Sequence, residues 1–401
     1  MFSFCKKQLI SGMALAVSVL LNGCSNDVDV YQPVSSPQVV NSVATKVVWS
    51  RSVGSGVGNY FTRLSPVVDE VKVYAASRNG DVYAMNKDDG SREWHLDLDD
   101  EDENDDRRST RLSGGLVLQY GVLYVASENG YLYAIDAEEG TLKWKANVGQ
   151  EVLATPAVGY DKVFVLTISG QMFAFNSDTG EKVWANGNDG NMISLRGDSN
   201  PVAIADKVVI YGTANGKINI VSQETGVLIH QLNVNVSSGA TRIARLNDVN
   251  STPLSIMNEV YSVAFNGNLQ GFLIPEFSSM WKRQYSSCLD LASDSTDIAL
   301  TDVSSHIYAI IRVDGTQRWA NTQLTYRNVT APTYFKRHVV VGDYEGFIYF
   351  LDDATGEIKS MRELDSSGMY TAAVTDDNYL YFQSRDGTLY AVDIDDENKE
   401  D

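Results

Sequence analysis

Asn129-Gly130-Tyr131-Leu132-Tyr133-Ala134-Ile135-Asp136-Ala137-Glu138-Glu139-Gly140-Thr141-Leu142-Lys143-Trp144 is the stretch that decides the fold, because it does not stand alone. Asn79 to Trp94 repeats it, with the same Asn-Gly start, an apolar-Tyr-Ala core and the same closing Gly and Trp; Ser169 to Trp184 is a third copy. Weaker copies begin at Asn215-Gly216, Asn266-Gly267, Ser304-Ser305, Glu345-Gly346 and Asp386-Gly387. The anchors therefore fall at 80, 130, 170, 216, 267, 305, 346 and 387. Their mean spacing of about 44 residues is the length of a four-stranded propeller blade.

Each copy carries the physics of a blade. Asn-Gly predicts a tight hairpin, of type I′ when both central residues take positive φ. The run after it (Val82 to Met85, Leu132 to Ile135, Ile348 to Leu351, Leu389 to Val392) is apolar on both faces, so both faces must be covered, as they are when blades stack. A second turn follows at Gly90, Gly140, Gly180, Gly226, Gly315 and Gly356. Four residues later comes Trp94, Trp144, Trp184 or Trp319, with His230 and Ser360 in weaker copies; Trp281 keeps the register although Phe277 replaces its glycine. Trp49 precedes the first full repeat, and the last repeat ends near Ile394 without room for its own outer strand. Residues 45–50 are expected to supply that strand and close the ring, which removes exposed strand edges. The fold expected is all-β: one eight-bladed propeller of four-stranded antiparallel blades over 44–395, closed by an N-terminal strand. Two four-bladed units are the alternative.

The N-terminus reads as a targeting segment. Lys6 and Lys7 precede an apolar stretch from Leu9 to Leu21, short for a permanent span. It ends Leu20-Leu21-Asn22-Gly23-Cys24, which resembles the lipobox cut by the bacterial lipoprotein signal peptidase, with Asn22 in place of the usual Ala or Ser. An ordinary secretory signal is the alternative. On the lipobox reading residues 1–23 are removed and Cys24 carries acyl chains such as palmitate; two or more chains anchor stably where one does not. Ser25 follows where the inner-membrane retention signal has Asp, which points to the outer membrane. A polar linker over 24–43 and an acidic tail over 396–401 complete the expected domains.

Composition narrows the chemistry. Asp and Glu number 52 against 32 Lys and Arg, for a net charge of −20 in 401 residues. That excludes generic nucleic-acid binding, which needs a basic face. Cys5 leaves with the signal segment and Cys24 is lipidated, so Cys288 has no intrachain partner. No Ser-His-Asp order, His-x-x-x-His pair or phosphate-cradling loop emerges; His95, His230, His306 and His338 lie in or beside strands. The repeat's carboxylates recur at turns, where they cap backbone amides. Neither an enzyme nor a resident metal or cofactor is expected. Asp97 to Asp106 holds eight acids but lacks the mid-loop glycine of an EF-hand, and it reads as a solvated, mobile insertion. Arg196-Gly197-Asp198 spells an adhesion tripeptide by coincidence.

The Asp-Gly-x-Val-Tyr-Ala-x-Asp-x-x-Thr-Gly-x-x-x-Trp pattern resembles the PQQ-like tryptophan-docking repeat. That family includes quinoprotein alcohol dehydrogenases, whose rings hold pyrroloquinoline quinone and calcium. Their vicinal cysteine pair is absent here, so a quinone-dependent dehydrogenase or a small-molecule-binding propeller is the competing reading. With the lipobox and the length, the chain is more similar to the propeller lipoproteins of the outer-membrane β-barrel assembly machinery. Ile193-Ser194-Leu195-Arg196-Gly197 and Arg245-Leu246-Asn247-Asp248-Val249-Asn250 are similar to that group's S-L-R-G and R-L-x-D-V-D motifs. The resemblance implies a scaffold that contacts the POTRA domains of the insertase subunit BamA through Leu195, Arg196 and Asp248, with Ile193 in place of a nearby leucine. Asn250 stands where Asp is usual and loses one charge. Other assembly lipoproteins reached through BamA, and unfolded outer-membrane protein clients, are the further implied partners. Independently of the resemblance, both segments join one blade's outer strand to the next blade's inner strand. They therefore share one face on neighbouring blades, and apolar anchors beside charges suit a partner site.

Overall fold

The structure is a computed structural model that describes residues 31–99, 110–187, 197, 199–236, 246–274 and 276–395. By contact the chain divides into Met1–Pro33 and Val34–Asp401, and everything below concerns the second unit. Among the described residues thirty-two strands form eight four-stranded sheets. The first is β2 (Val67–Val68), β3 (Lys72–Ala76), β4 (Asp81–Asn86) and β5 (Arg92–Asp97), paired in chain order from the inner strand outward. Six more sheets repeat that order. The eighth is β30 (Val374–Thr375), β31 (Leu380–Gln383), β32 (Thr388–Asp395) and β1 (Ala44–Ser52). The N-terminal strand thus closes the ring, paired from Ala44 opposite Asp395 to Ser52 opposite Thr388 with a one-residue register shift between Val47 and Trp49.

The core is layered rather than central. Eight apolar clusters lie one at each blade-to-blade interface; that between blades one and two holds Tyr74, Val82 and Ala84 against Leu123, Val125 and Tyr133. This is why the third strand of every blade is apolar on both faces.

The hairpin turns differ from the type I′ expectation. Gly80 has φ +115°, but Asn79 is not left-handed. Gly80 N donates to Ser77 O (3.2 Å) and Ser77 N to Asp81 O (2.9 Å). That is a three-residue loop, a type I turn closed by a glycine bulge, and it needs one positive φ rather than two. The later turns behave as read: the Asp136 carboxylate accepts the amides of Glu138 and Glu139, both at 3.0 Å. These bonds, the Glu139 amide foremost, hold the Asp136 carboxyl below its ordinary pKa.

The six tryptophans form one lock, repeated. Each indole Nε1 donates to a backbone carbonyl of the next blade, from Trp49 to Lys87 (2.9 Å) through Trp319 to Asp353 (2.8 Å). Each ring lies on the next blade's turn glycine, where a Cβ would come within 2.4–2.6 Å for Gly140 over Trp94 and Gly90 over Trp49. Across the strand pair every tryptophan faces a small residue: Ala391, Ala84, Ala134, Ala174, Gly271 or Ala309. His230 faces Ile220 instead and stacks on Phe277 (4.6 Å between centroids), so the lost indole is compensated on both sides. Ser360 faces Phe350, and blade eight has no turn for it to dock on, since β1 arrives from the other end of the chain.

Residues 34–43 fill that last gap. They belong to the polar linker expected over 24–43, and the structure straps them along blade seven. Val34 N donates to Thr325 O (3.1 Å), Ser42 N to Lys359 O (2.8 Å), and Asn41 makes two bonds to Met361 of β29 (Ile358–Glu363). Val39 and Val43 pack on the apolar layers at the two sides of blade seven.

Candidate functional site

The connections from outer to next inner strand converge on one face around the axis, and the two segments singled out by motif meet there. Ile193, Leu195 and Arg196 lie outside the described residues, as does all of the acidic run beyond Asp99. The flanking residues are described. The Asn250 side-chain amide donates to Gly197 O. Ser199 Oγ donates to Ser251 O (2.9 Å), and Asn200 Nδ2 to Thr252 Oγ1 (2.8 Å). Three side-chain bonds therefore stitch the first segment to the second, as neighbouring blades require.

Asp248 and Asn250 do not sit as a charged rim. Asp248 is 1% exposed and Asn250 7%. Position in the loop tells which face of the ring a residue occupies but not whether its side chain turns outward, and both turn inward. Asn250 is a strut: its amide is a donor, and the ionised aspartate usual there could not donate to Gly197 O. Asp248 faces Cys288, whose thiol is pushed up to about 12 by burial and then by that carboxylate, with Arg63 opposing.

Beneath the stitched segments lies an axial cavity of about 600 Å³, lined by Phe61, Arg63, Leu116, Cys288, Asp290 and Tyr370 among others. Arg63 crosses its mouth. Nη1 meets the Asp290 carboxylate at 3.1 Å and Nη2 donates to Asn250 O at 2.7 Å, while Asp290 accepts the Thr252 amide at 2.7 Å. Motif reading missed Arg63, Asp290 and Phe61. The one sequence signal near Phe61 and Arg63 is the glycine spacing Gly54, Gly56, Gly58 ahead of blade one, all at positive φ; at Gly56 a Cβ would strike the backbone of Gly387 at 2.3 Å. Among the described residues no His, Cys, Asp and Glu cluster is arranged to hold a metal ion.

The family model described as outer membrane protein assembly factor BamB matches residues 29–111 and 102–321. The chain belongs to the BamB family. It is 34% identical to the BamB of Shewanella oneidensis over 398 residues, 98% of this chain and 100% of that one. It is 35% identical to the Escherichia coli BamB over 390 residues, 96% and 99% of the two chains. The crystal structure of BamB from Moraxella catarrhalis superimposes with a TM-score of 0.77 at 25% identity, covering 87% of this chain and 99% of that one. The quinohemoprotein alcohol dehydrogenase of Comamonas testosteroni shares the fold at 14% identity and a TM-score of 0.67, covering 89% of this chain and 78% of that one. BamB proteins are assembly factors and not enzymes, so this propeller is an outer membrane protein assembly factor associated with the outer membrane. The dehydrogenase alternative is thereby set aside.

Proposed function

We propose that the chain is a periplasmic scaffold, lipid-anchored through Cys24 with residues 1–23 removed, that docks on the POTRA domains of BamA and assists delivery of outer-membrane proteins. The docking residues are Ile193, Leu195 and Arg196, supported by the 246–252 segment, in which residues 247–251, Asp248 and Asn250 included, are buried. The observation that supports this reading is the bonding of Gly197, Ser199 and Asn200, at the end of the first motif segment, to Asn250, Ser251 and Thr252 of the second.

Pull-down of BamA from detergent extracts tests it. Leu195→Ala or Arg196→Ala is expected to weaken capture by roughly 30- to 1000-fold, the range for truncated interface anchors. Tyr120→Ala, an exposed position on a blade-two turn, serves as the control and should capture fully. Full capture by Leu195→Ala and Arg196→Ala would remove the site.

Client strands have one suitable edge. Outer strands need charges to keep stray strands off, and seven carry Lys or Arg, such as Arg92, Lys143, Lys182, Lys282, Arg318, Lys359 and Arg51. The outer strand of blade four, β17 (Leu228–Asn233, Leu-Ile-His-Gln-Leu-Asn), carries none, and Leu228, Ile229 and the preceding Val227 are exposed. That edge suits pairing with an extended client strand. Ile229→Lys is expected to lower capture of an unfolded outer-membrane protein while leaving BamA capture intact; equal client capture would exclude the edge.

A further inference from the structure

The segment between β1 and β2, residues 53–66, crosses the mouth of the axial channel and touches both motif segments. Its ends are firmly held. Arg63 N donates to Ser113 O of blade two (2.9 Å), and the Arg385 guanidinium of blade eight binds Gly58 O (3.0 Å) and the Asn59 side chain (2.5 Å). From that base two side chains reach across. The Phe61 ring stands edge-on to Tyr370, 6.0 Å between centroids at 88°, and lies against Gly197 so closely that a Cβ there would fall 2.5 Å from the ring. Arg63, with its side chain 13% exposed, binds Asn250 O and Asp290 together, and Asp290 in turn holds the Thr252 amide.

We propose that Phe61 and Arg63 are positioning residues for docking, fixing from the axis the backbone at Gly197 and at Asn250–Thr252, the described residues of the two motif segments. The proposal rests on the docking reading above. Three features argue that the contact serves the surface rather than the ring. Neither residue belongs to an apolar layer between blades or to a tryptophan lock. Arg63 acts at loop backbone, on Asn250 O directly and on Thr252 N through Asp290, which is a way to fix a loop and not a blade. And the task suits only arginine: its planar fork serves two acceptors in different directions, whereas a lysine ammonium on a flexible stem holds one well. Gly197 has φ +110° and no room for a side chain, so Phe61 presses on backbone alone. With either residue gone the backbone at Gly197 or at Asn250–Thr252 would have to be fixed when the partner binds, and binding would weaken accordingly.

The test compares the full mature chain with Arg63→Ala, Arg63→Lys, Phe61→Ala and Leu195→Ala for affinity toward detergent-solubilised BamA, with thermal midpoint and amide exchange measured on the same samples. Arg63→Ala and Phe61→Ala are expected to weaken binding about tenfold. Arg63→Ala should also speed exchange at Thr252 while strand amides keep their protection, a pattern that general destabilisation does not give. Should Arg63→Ala not fold, Arg63→Lys carries the test, since it retains the charge toward Asp290 and loses the second acceptor. Wild-type affinity in the Arg63 and Phe61 variants, together with lost affinity in Leu195→Ala, would overturn the positioning role and leave the docking surface standing. Wild-type affinity in Leu195→Ala would remove the surface, and the positioning role with it.

Discussion

Arg327→Ala is expected to destabilise the propeller by about 3–5 kcal/mol, the cost of stranding a buried carboxylate. Among the described residues Arg327 is the largest fully buried side chain, and it is the hub of a network. Its Nε donates to Asp343 (2.8 Å), Nη2 binds Glu345 (2.5 Å) and Nη1 donates to Val34 O (3.0 Å). Asp343 is also buried, and it accepts the Tyr349 hydroxyl (2.8 Å) and the amides of Glu345 and Phe347 (both 3.0 Å). Burial works against the guanidinium charge, but Glu345 and Asp343 more than restore it and raise its pKa. Without the arginine, two carboxylates face each other and the start of the 34–43 strap loses a clasp. Urea unfolding should show the midpoint fall, and limited proteolysis should cut within 34–43 sooner than elsewhere. Arg327→Lys should recover part of the stability but not the strap, because one ammonium cannot reach three acceptors. An unchanged midpoint in Arg327→Ala would mean that the network contributes nothing net.

The blade count, the closing strand and the tryptophan register were legible because each rests on local pattern repeated at long spacing. The compensation at the irregular interface was also written there, in Ile220, His230 and Phe277, but it spans two blades. Read one repeat at a time, His230 and Phe277 are merely two degraded positions. Only cross-strand register shows that every tryptophan faces Ala or Gly, and that the two substituted positions face Ile220 and Phe350. The turn type escaped because Asn-Gly serves both a two-residue and a three-residue hairpin, and backbone pairing decides between them. The site is the extreme case. Arg63 and Asp290 are 227 residues apart, in loops without a shared motif, and only closure of the ring brings them together. The strap escaped for a different reason: its polar composition describes the side chains facing water, while Val39, Val43 and backbone groups make the contact.

Ring closure sets apart one of the six locks, and Trp49→Ala is expected to show it. Trp49 is 6% exposed, donates to Lys87 O, lies over Gly90 and tilts against Tyr381 at 6.1 Å. Its loss should cost about 3–5 kcal/mol, as for other buried tryptophans truncated to alanine. Trp144→Ala, at 9% exposure and with the same lock onto blade three, should cost a similar amount. The two variants should nevertheless fail differently. Trp144 lies on β9 (Leu142–Asn147), which a short turn joins to its neighbour in the sheet, so the strand is held at high effective concentration when the lock opens. No such turn joins β1 to β32; between them the chain runs through the whole ring. Once Trp49 is gone, β1 keeps its ladder bonds, the strap, the bonds of Arg51 to Asp89 O and of Arg362 to Thr45 O and the packing of Val47 and Val48, but no covalent turn, and its local opening should fall well below global unfolding. Amide exchange should then show β1 and the facing amides of β32 losing protection in Trp49→Ala, while β9 in Trp144→Ala opens only with the whole domain. The bared edge of β32 should also pair between molecules and broaden the sedimentation profile. Equal protection of β1 and β9 in the two variants would show that closure is held by the remaining contacts of β1 rather than by the indole.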